Sequence, residues 1–250
     1  MILAIETATD VCGVALVHEG RVIAERSTVE KKIHSEKLLP MIVEVLRSAS
    51  MSLSRLDAVA VSIGPGSFTG LRIGLSTAKG LAVARSLPIV PVPTLDAMAF
   101  EYFRSGGARE GETVCPLIDA KRDEAYFCFY AVNAGGVTRK SPYEIAGILK
   151  ISEAARSFGA VAFFGDGIAK MDAAGRSNGA FRIVQGAVCS AASVGIVAEH
   201  GGEMLAAGEY TMLEPMYIRD FVATQPGVKR QQKIQRIPVE FSQTTQSSKD

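Results

Sequence analysis

The chain contains no apolar run of the roughly 18–20 residues that a membrane span requires, so no part of it reads as a transmembrane helix. It opens directly on strand-type sequence rather than on a basic stretch followed by an apolar one, and no signal peptide is expected. Cysteine is limited to Cys12, Cys115, Cys128 and Cys189 with no Cys-x-x-Cys pair, which reads as reduced thiols in a cytosolic protein. Histidine is scarcer still: His18, His34 and His200 share no metal-ligand spacing. A formal net charge of +1 leaves no global field to draw in nucleic acid.

Phosphate loops are missing as well. No window supplies Gly, four residues, then Gly-Lys-Ser/Thr. Gly64-x-Gly66 approaches the dinucleotide fingerprint, but Thr69 stands where the third glycine belongs, and the next apolar strand runs into Pro93-Thr94 with no acid for a ribose. Ser67 follows Gly66 directly, so it does not sit in the Gly-x-Ser-x-Gly of a hydrolase elbow. The free N–H groups of a helix starting after Gly66 are all that remains for an anion, and a plain strand-turn-helix connection is the favoured reading.

What is present is 48% hydrophobic sequence in 250 residues, enough for two modest α/β domains. The most informative stretch is 57–85. An apolar strand at 59–63 meets Gly64-Pro65-Gly66 and opens into a helix with Gly70, Gly74 and Ala78 stacked on one face. Glycine inside a helix costs about 1 kcal/mol relative to alanine, so that face is expected to meet a close neighbour, either a backbone or a ligand.

The order of elements repeats. Strands at 1–5, 12–17 and 21–27 precede a helix, the strand at 59–63, the glycine-rich helix, a strand at 89–92 and a helix from Thr94. A second series starts near residue 113: a strand at 114–118, a single strand from Glu124 to Val132, a Gly135-Gly136 turn, and 161–164 leading through Gly165-Asp166-Gly167 into a helix. In each half the first strand closes on an acid, Glu6 or Asp119, with another acid four residues on. This repetition predicts two α/β lobes of the ribonuclease-H-like kind found in actin, hexokinase and Hsp70, the second one reduced. The expected boundaries are 1–105, 106–224 and a disordered tail at 225–250. In that superfamily the strand-end acids receive Mg-ATP phosphates. Glu6, Thr7 and Asp10, with Asp119 on the opposite wall, are therefore the candidates for a Mg-nucleotide. The competing reading, slightly favoured from the residues, is that Glu6 and Asp10 only shape a turn.

Five segments carry a family resemblance: Met1-Ile-Leu-Ala-Ile-Glu-Thr-Ala-Thr9, His34-Ser-Glu-Lys-Leu-Leu-Pro40, Ser62-Ile-Gly-Pro-Gly-Ser-Phe-Thr-Gly-Leu-Arg-Ile-Gly74, Asp119-Ala-Lys-Arg-Asp-Glu124 and Pro215-Met-Tyr-Ile-Arg219. Over about residues 1–220 the chain resembles the TsaB (YeaZ) family. The resemblance implies a subunit of the machinery that makes N6-threonylcarbamoyladenosine at adenosine 37 of tRNAs reading ANN codons. In that machinery TsaB is the non-catalytic relative of TsaD, which transfers the threonylcarbamoyl group, and the ATPase TsaE joins the pair. It implies docking to TsaD through first-lobe helices, a homodimer where TsaD is absent, tRNA contact only through the complex, and no cofactor beyond ATP or ADP with magnesium held within that complex.

The residues agree with a non-catalytic role. The relative carries His-x-x-x-His on the corresponding helix, and here His34 is followed by Leu38, so no catalytic residue and no metal site is expected. Leu38, Met41, Ile42, Val45 and Ala49 form one helical stripe, and Leu39, Val43 and Leu46 an adjoining one, which is wider than a single core-facing face. One stripe is expected to face the sheet and the other a partner helix, against burial of both within the lobe. The expected interface is His34, Leu38, Leu39, Met41, Ile42, Val45, Phe68, Gly70, Leu71, Gly74, Leu75 and Ala78, and a bulky residue at Gly74 is expected to weaken docking without harming the fold. In the tail, Lys229, Arg230, Lys233, Arg236 and Lys249 outnumber Glu240 and Asp250. A solvated tail is favoured there over a tRNA-phosphate contact. Alternative functions are an autonomous ATP-dependent enzyme of the sugar-kinase type and, more remotely, a peptidase.

Overall fold

A computed structural model describes residues 1–30, 33–171, 181–186 and 188–218; the tail at 225–250 lies outside the described residues. Near-continuous apolar runs, buried on both faces, produce β1 (Ile2–Glu6) and β2 (Cys12–His18), and the more polar β3 (Arg21–Thr28) completes an antiparallel ribbon at the sheet edge. Helix α1 (His34–Ser48) crosses to β4 (Ala58–Gly64), and α2 (Phe68–Arg85) to β5 (Ile89–Pro93), both parallel to β1. The first sheet has the order β3-β2-β1-β4-β5. Helix α3 (Thr94–Arg104) leads to β6 (Thr113–Asp119), β7 (Glu124–Phe127), β8 (Tyr130–Asn133), β9 (Gly136–Arg139), β10 (Glu144–Gly147), α4 (Ile148–Ala155), β11 (Val161–Phe164), β12 (Phe181–Ile183) and α5 (Ala191–Glu199). In the second sheet β6, β11 and β12 run parallel, with the antiparallel strands on the other side of β6.

The strands' period of two sorts each sheet into two apolar faces. On the first, Leu3, Ile5, Val14, Leu16, Val59 and Val61 face outward under α1 and α2. Ile2, Ala4, Ala15, Ala58 and Ala60 face inward, and their small side chains let α3 and α5 settle against the sheet. The inner face of the second sheet, including Val114, Ile118, Tyr130 and Phe164, joins the same core. Its outer face packs on α4 around Leu117, Phe127, Ile151 and Phe163. One continuous apolar layer thus lies between the two sheets.

Three expectations need correction. The strand expected from Glu124 to Val132 is broken at Cys128-Phe129, opposite Pro116, which has no N–H to give to a ladder. Phe129 instead accepts from Lys140 N and donates to Ser141 Oγ. The helix expected after Gly165 is only a 3₁₀ turn, Asp166–Lys170, because Gly165 and Gly167 are pressed onto Leu117. The lobes are also not the contiguous blocks 1–105 and 106–224. Helix α5 packs on β1 and β2, Leu205 bridges to Ile89, and Tyr210 is buried among the outer residues of the first sheet. The end of the described chain therefore completes the first lobe.

Candidate functional site: the interlobe cleft and the outer helices

The carboxyl ends of β1, β4, β6 and β11 meet where an open α/β sheet carries its ligands. Glu6, at the end of β1, is fully buried. Its Oε1 accepts from Ala8 N at 2.9 Å, Thr9 N at 3.0 Å and Thr9 Oγ1 at 3.1 Å, and its Oε2 from Cys189 Sγ at 3.4 Å. Burial pushes the Glu6 carboxyl above the usual carboxylate range, a rise these hydrogen bonds only partly offset. Thr7, also fully buried, donates from Oγ1 to Gly70 O at 2.8 Å. Both side chains hold the β1–β2 turn, which is tied to the start of α2 by Thr7 and by Ser67 N donating to Ala8 O at 2.6 Å.

Asp10 is exposed on the first-lobe wall. Opposite it, Asp119 is ion-paired to Lys170, which also donates to Glu124 O, and to Lys121 at 3.2 Å. Burial alone would raise the Asp119 carboxyl; the bonds from Lys170 and Lys121 outweigh it and hold it at about 2. Asp166 accepts from Asp119 N at 2.9 Å, and burial raises its own carboxyl despite that bond. Among the expected nucleotide ligands, the fold thus brings Asp10 and Asp119 to one cleft and turns Glu6 and Thr7 away from it. Of these four, Glu6 and Thr7 are buried and hydrogen-bonded within the turn, and Asp119 is paired with Lys170 and Lys121. Lys121, Asp166 and Lys170 are not site residues on the sequence reading; Lys121 falls within the Asp119–Glu124 segment and Asp166 within the Gly165-Asp166-Gly167 echo.

Among the described residues no three His, Cys, Asp or Glu side chains assemble into a metal site. His34 begins α1 with Nε2 3.3 Å from Val11 O, whereas Leu38, one turn on, is 1% exposed in the core. His200 packs its ring on Phe100, 5.7 Å between centroids.

The glycine stripe is filled from within. A Cβ on Gly70 would overlap the Thr7 carbonyl oxygen, and one on Gly74 the Thr7 hydroxyl; Ala78 is fully buried. The neighbour expected there is the chain's own Thr7, the residue that follows β1. Of the twelve expected interface residues, Leu38, Met41, Ile42, Val45, Gly70, Leu71, Gly74, Leu75 and Ala78 are buried within the lobe. His34 is half-buried, and Leu39 and Phe68 are exposed. On α1 the second stripe remains outside at Leu39, 56% exposed, and at Val43, 64% exposed, while its Leu46 is buried. A cavity of about 430 Å³ fixes which flank this is. Between α1 and β3 it is lined by Arg26, Thr28, Lys37, Pro40, Met41 and Glu44 among others, so Leu39 and Val43 lie on the opposite flank, toward α2.

Two α/β sheets with parallel strands at their centres, packed through the shared layer of α3 and α5, give the chain the two-lobed fold of the actin, hexokinase and Hsp70 kind. The sequence model of the family described as "TsaD: tRNA N6-adenosine threonylcarbamoyltransferase" matches residues 21–174, and the chain belongs to that family, on its TsaB/YeaZ branch. The tRNA threonylcarbamoyladenosine biosynthesis protein TsaB of Escherichia coli is 40% identical over 136 residues, and that of Haemophilus influenzae 39% over 126. These matches cover 54% and 50% of this chain, and the chain spans only 57% and 52% of those relatives. The solved structure of YeaZ from Pseudomonas aeruginosa superposes with a TM-score of 0.73 at 29% identity, covering 86% of this chain and 98% of that one. Among the described residues no helix is long and apolar enough to cross a membrane.

Proposed function

We propose that this chain is a non-catalytic subunit of the tRNA threonylcarbamoyladenosine machinery, docking to a TsaD-type subunit through the α1–α2 flank, with a TsaE-type ATPase joining the pair. The observation that carries this is the exposure of Leu39 and Val43 on a helix whose other apolar stripe is already spent on its own sheet. Two apolar residues one turn apart, beside a second helix, make a seat for a partner helix. The similarity to proteins named for threonylcarbamoyladenosine biosynthesis supplies the pathway, and the ion-paired Asp119 favours a scaffold over a nucleotide-hydrolysing enzyme.

The test is titration of the purified chain with the TsaD-type subunit. Leu39→Glu with Val43→Glu is expected to weaken binding by at least ~10-fold, as loss of central apolar anchors does, with unchanged thermal unfolding. In cells depleted of this chain, tRNA is expected to lose threonylcarbamoyladenosine, and the double variant is expected not to restore it. ATP turnover by the chain alone, lost on Asp10→Ala, would instead favour the autonomous enzyme.

A further inference from the structure

Asp96 stands in the first turn of α3, the helix that carries the chain out of β5 and into the second lobe. An acid at the third helical position can bond the N–H of the capping residue. Here that residue is Pro93, which has none, so the Asp96 carboxyl is free to reach beyond its own helix. It reaches into the second lobe. Tyr130 Oη of β8 donates to Oδ1 at 2.6 Å, and Tyr143 Oη, just before β10, donates to Oδ2 at 2.8 Å. Asp96 and Tyr130 are buried, only 3% and 2% exposed. Arg139 of β9 holds its guanidinium 4.5 Å from the centroid of the Tyr143 ring. Burial raises the Asp96 carboxyl, and the Arg139 charge and both hydroxyls work against that rise. The break between β7 and β8 serves the same cluster. Ser141 accepts Phe129 N on its hydroxyl at 3.0 Å and Cys128 Sγ on its carbonyl at 3.2 Å, which fixes the segment that carries Tyr143.

We propose that Asp96 is an interlobe lock: its two oxygens, each held by a hydroxyl of the second lobe, fix α3 to the β8–β9 ribbon in one register and so hold the two lobes at one angle. Three arguments support it. The first is position. Asp96 lies three residues past the end of β5, at the covalent crossing between the sheets, so a small rotation there is carried to the whole second sheet. The second is direction. The apolar layer around the cluster is rich in alanine, with Ala4, Ala60, Ala97, Ala99 and Ala191 all buried in it. Apolar contact has no preferred direction, whereas hydrogen bonds weaken steeply when misaligned. The third is the alternative. Sliding α3 by one turn would leave a buried carboxyl and the buried Tyr130 hydroxyl without partners, which a fold avoids.

The experiment measures the distance between the lobes in the full chain. All four native cysteines are buried, so Arg55→Cys on the first lobe and Lys150→Cys on the second, both at exposed positions, take spin labels selectively. Pulsed electron spin resonance then compares this labelled pair in the native background and in one carrying Asp96→Leu, Tyr130→Phe and Tyr143→Phe. The triple variant replaces the polar set by apolar side chains of similar size and strands no buried acid. Circular dichroism and thermal unfolding are run alongside. The native background is expected to give one narrow distance peak. The triple variant, still unfolding cooperatively, is expected to give a peak broadened or displaced by up to about 5 Å, one helical turn. A narrow peak at the native distance in the triple variant overturns the lock, and so does a broad distribution in the native background. If the triple variant loses its cooperative transition, Tyr143→Phe takes its place, giving up one of the two bonds at the half-buried end of the cluster, and the same outcomes decide.

Discussion

Thr7 governs the glycine-rich helix from inside the fold. Its carbonyl oxygen and hydroxyl occupy the volumes that a Cβ on Gly70 or Gly74 would need. Gly74→Val is therefore expected to destabilise the chain by about 1–3 kcal/mol, the usual cost of overpacking a filled site, read as a lower urea midpoint. This reverses the outcome the sequence suggests, a docking defect with the fold intact. That a close neighbour existed was legible, because stacked glycines demand one. Which neighbour it was depended on how β1 and α2 cross. A second residue-scale prediction concerns acid. Asp119 sits at about 2 in the fold, below its usual value, so the stability it contributes is fully present above about pH 4 and is lost as pH falls from about 4 toward 2. Solvent reaches the pair, which holds the effect to the order of 1 kcal/mol. Lys170→Met is expected to flatten that limb of a stability-against-pH curve measured by chemical denaturation.

At the scale of elements, apolar periodicity placed the strands of the first lobe and both outer helices, because each has to bury one face on a sheet. It also showed that α1 carries more apolar surface than one face needs. It did not reveal that the surplus narrows to Leu39 and Val43, since Leu46 is taken into the core. The second lobe was harder to read. A continuous apolar run from Glu124 predicted one strand, and the interruption comes from Pro116 on a neighbouring strand, a signal outside the run itself. The test of the Leu39 and Val43 pair belongs to this scale: it asks whether a helix face binds while the sheet beneath is unchanged.

At the scale of the whole molecule, the two sheets share the layer built from α3 and α5, and α5 arrives from the far end of the chain. Residues 1–105 alone would leave Ala4, Ala15, Ala58 and Ala60 facing water where α5 belongs. That fragment is expected to lack a cooperative thermal transition, whereas addition in trans of the 106–218 fragment should restore one, checked by circular dichroism. The sequence by itself determined the two-lobed α/β class, the strand-end acids and the demand for close packing along the glycine helix. These follow from local patterning and from the cost of glycine in a helix. Only the tertiary structure decided that Glu6 and Thr7 are sealed into a turn, that lysines pair with Asp119, and that α5 and the last described residues complete the first lobe. Each of those depends on contacts between residues distant in sequence, whose partners are chosen by packing rather than by neighbouring residues.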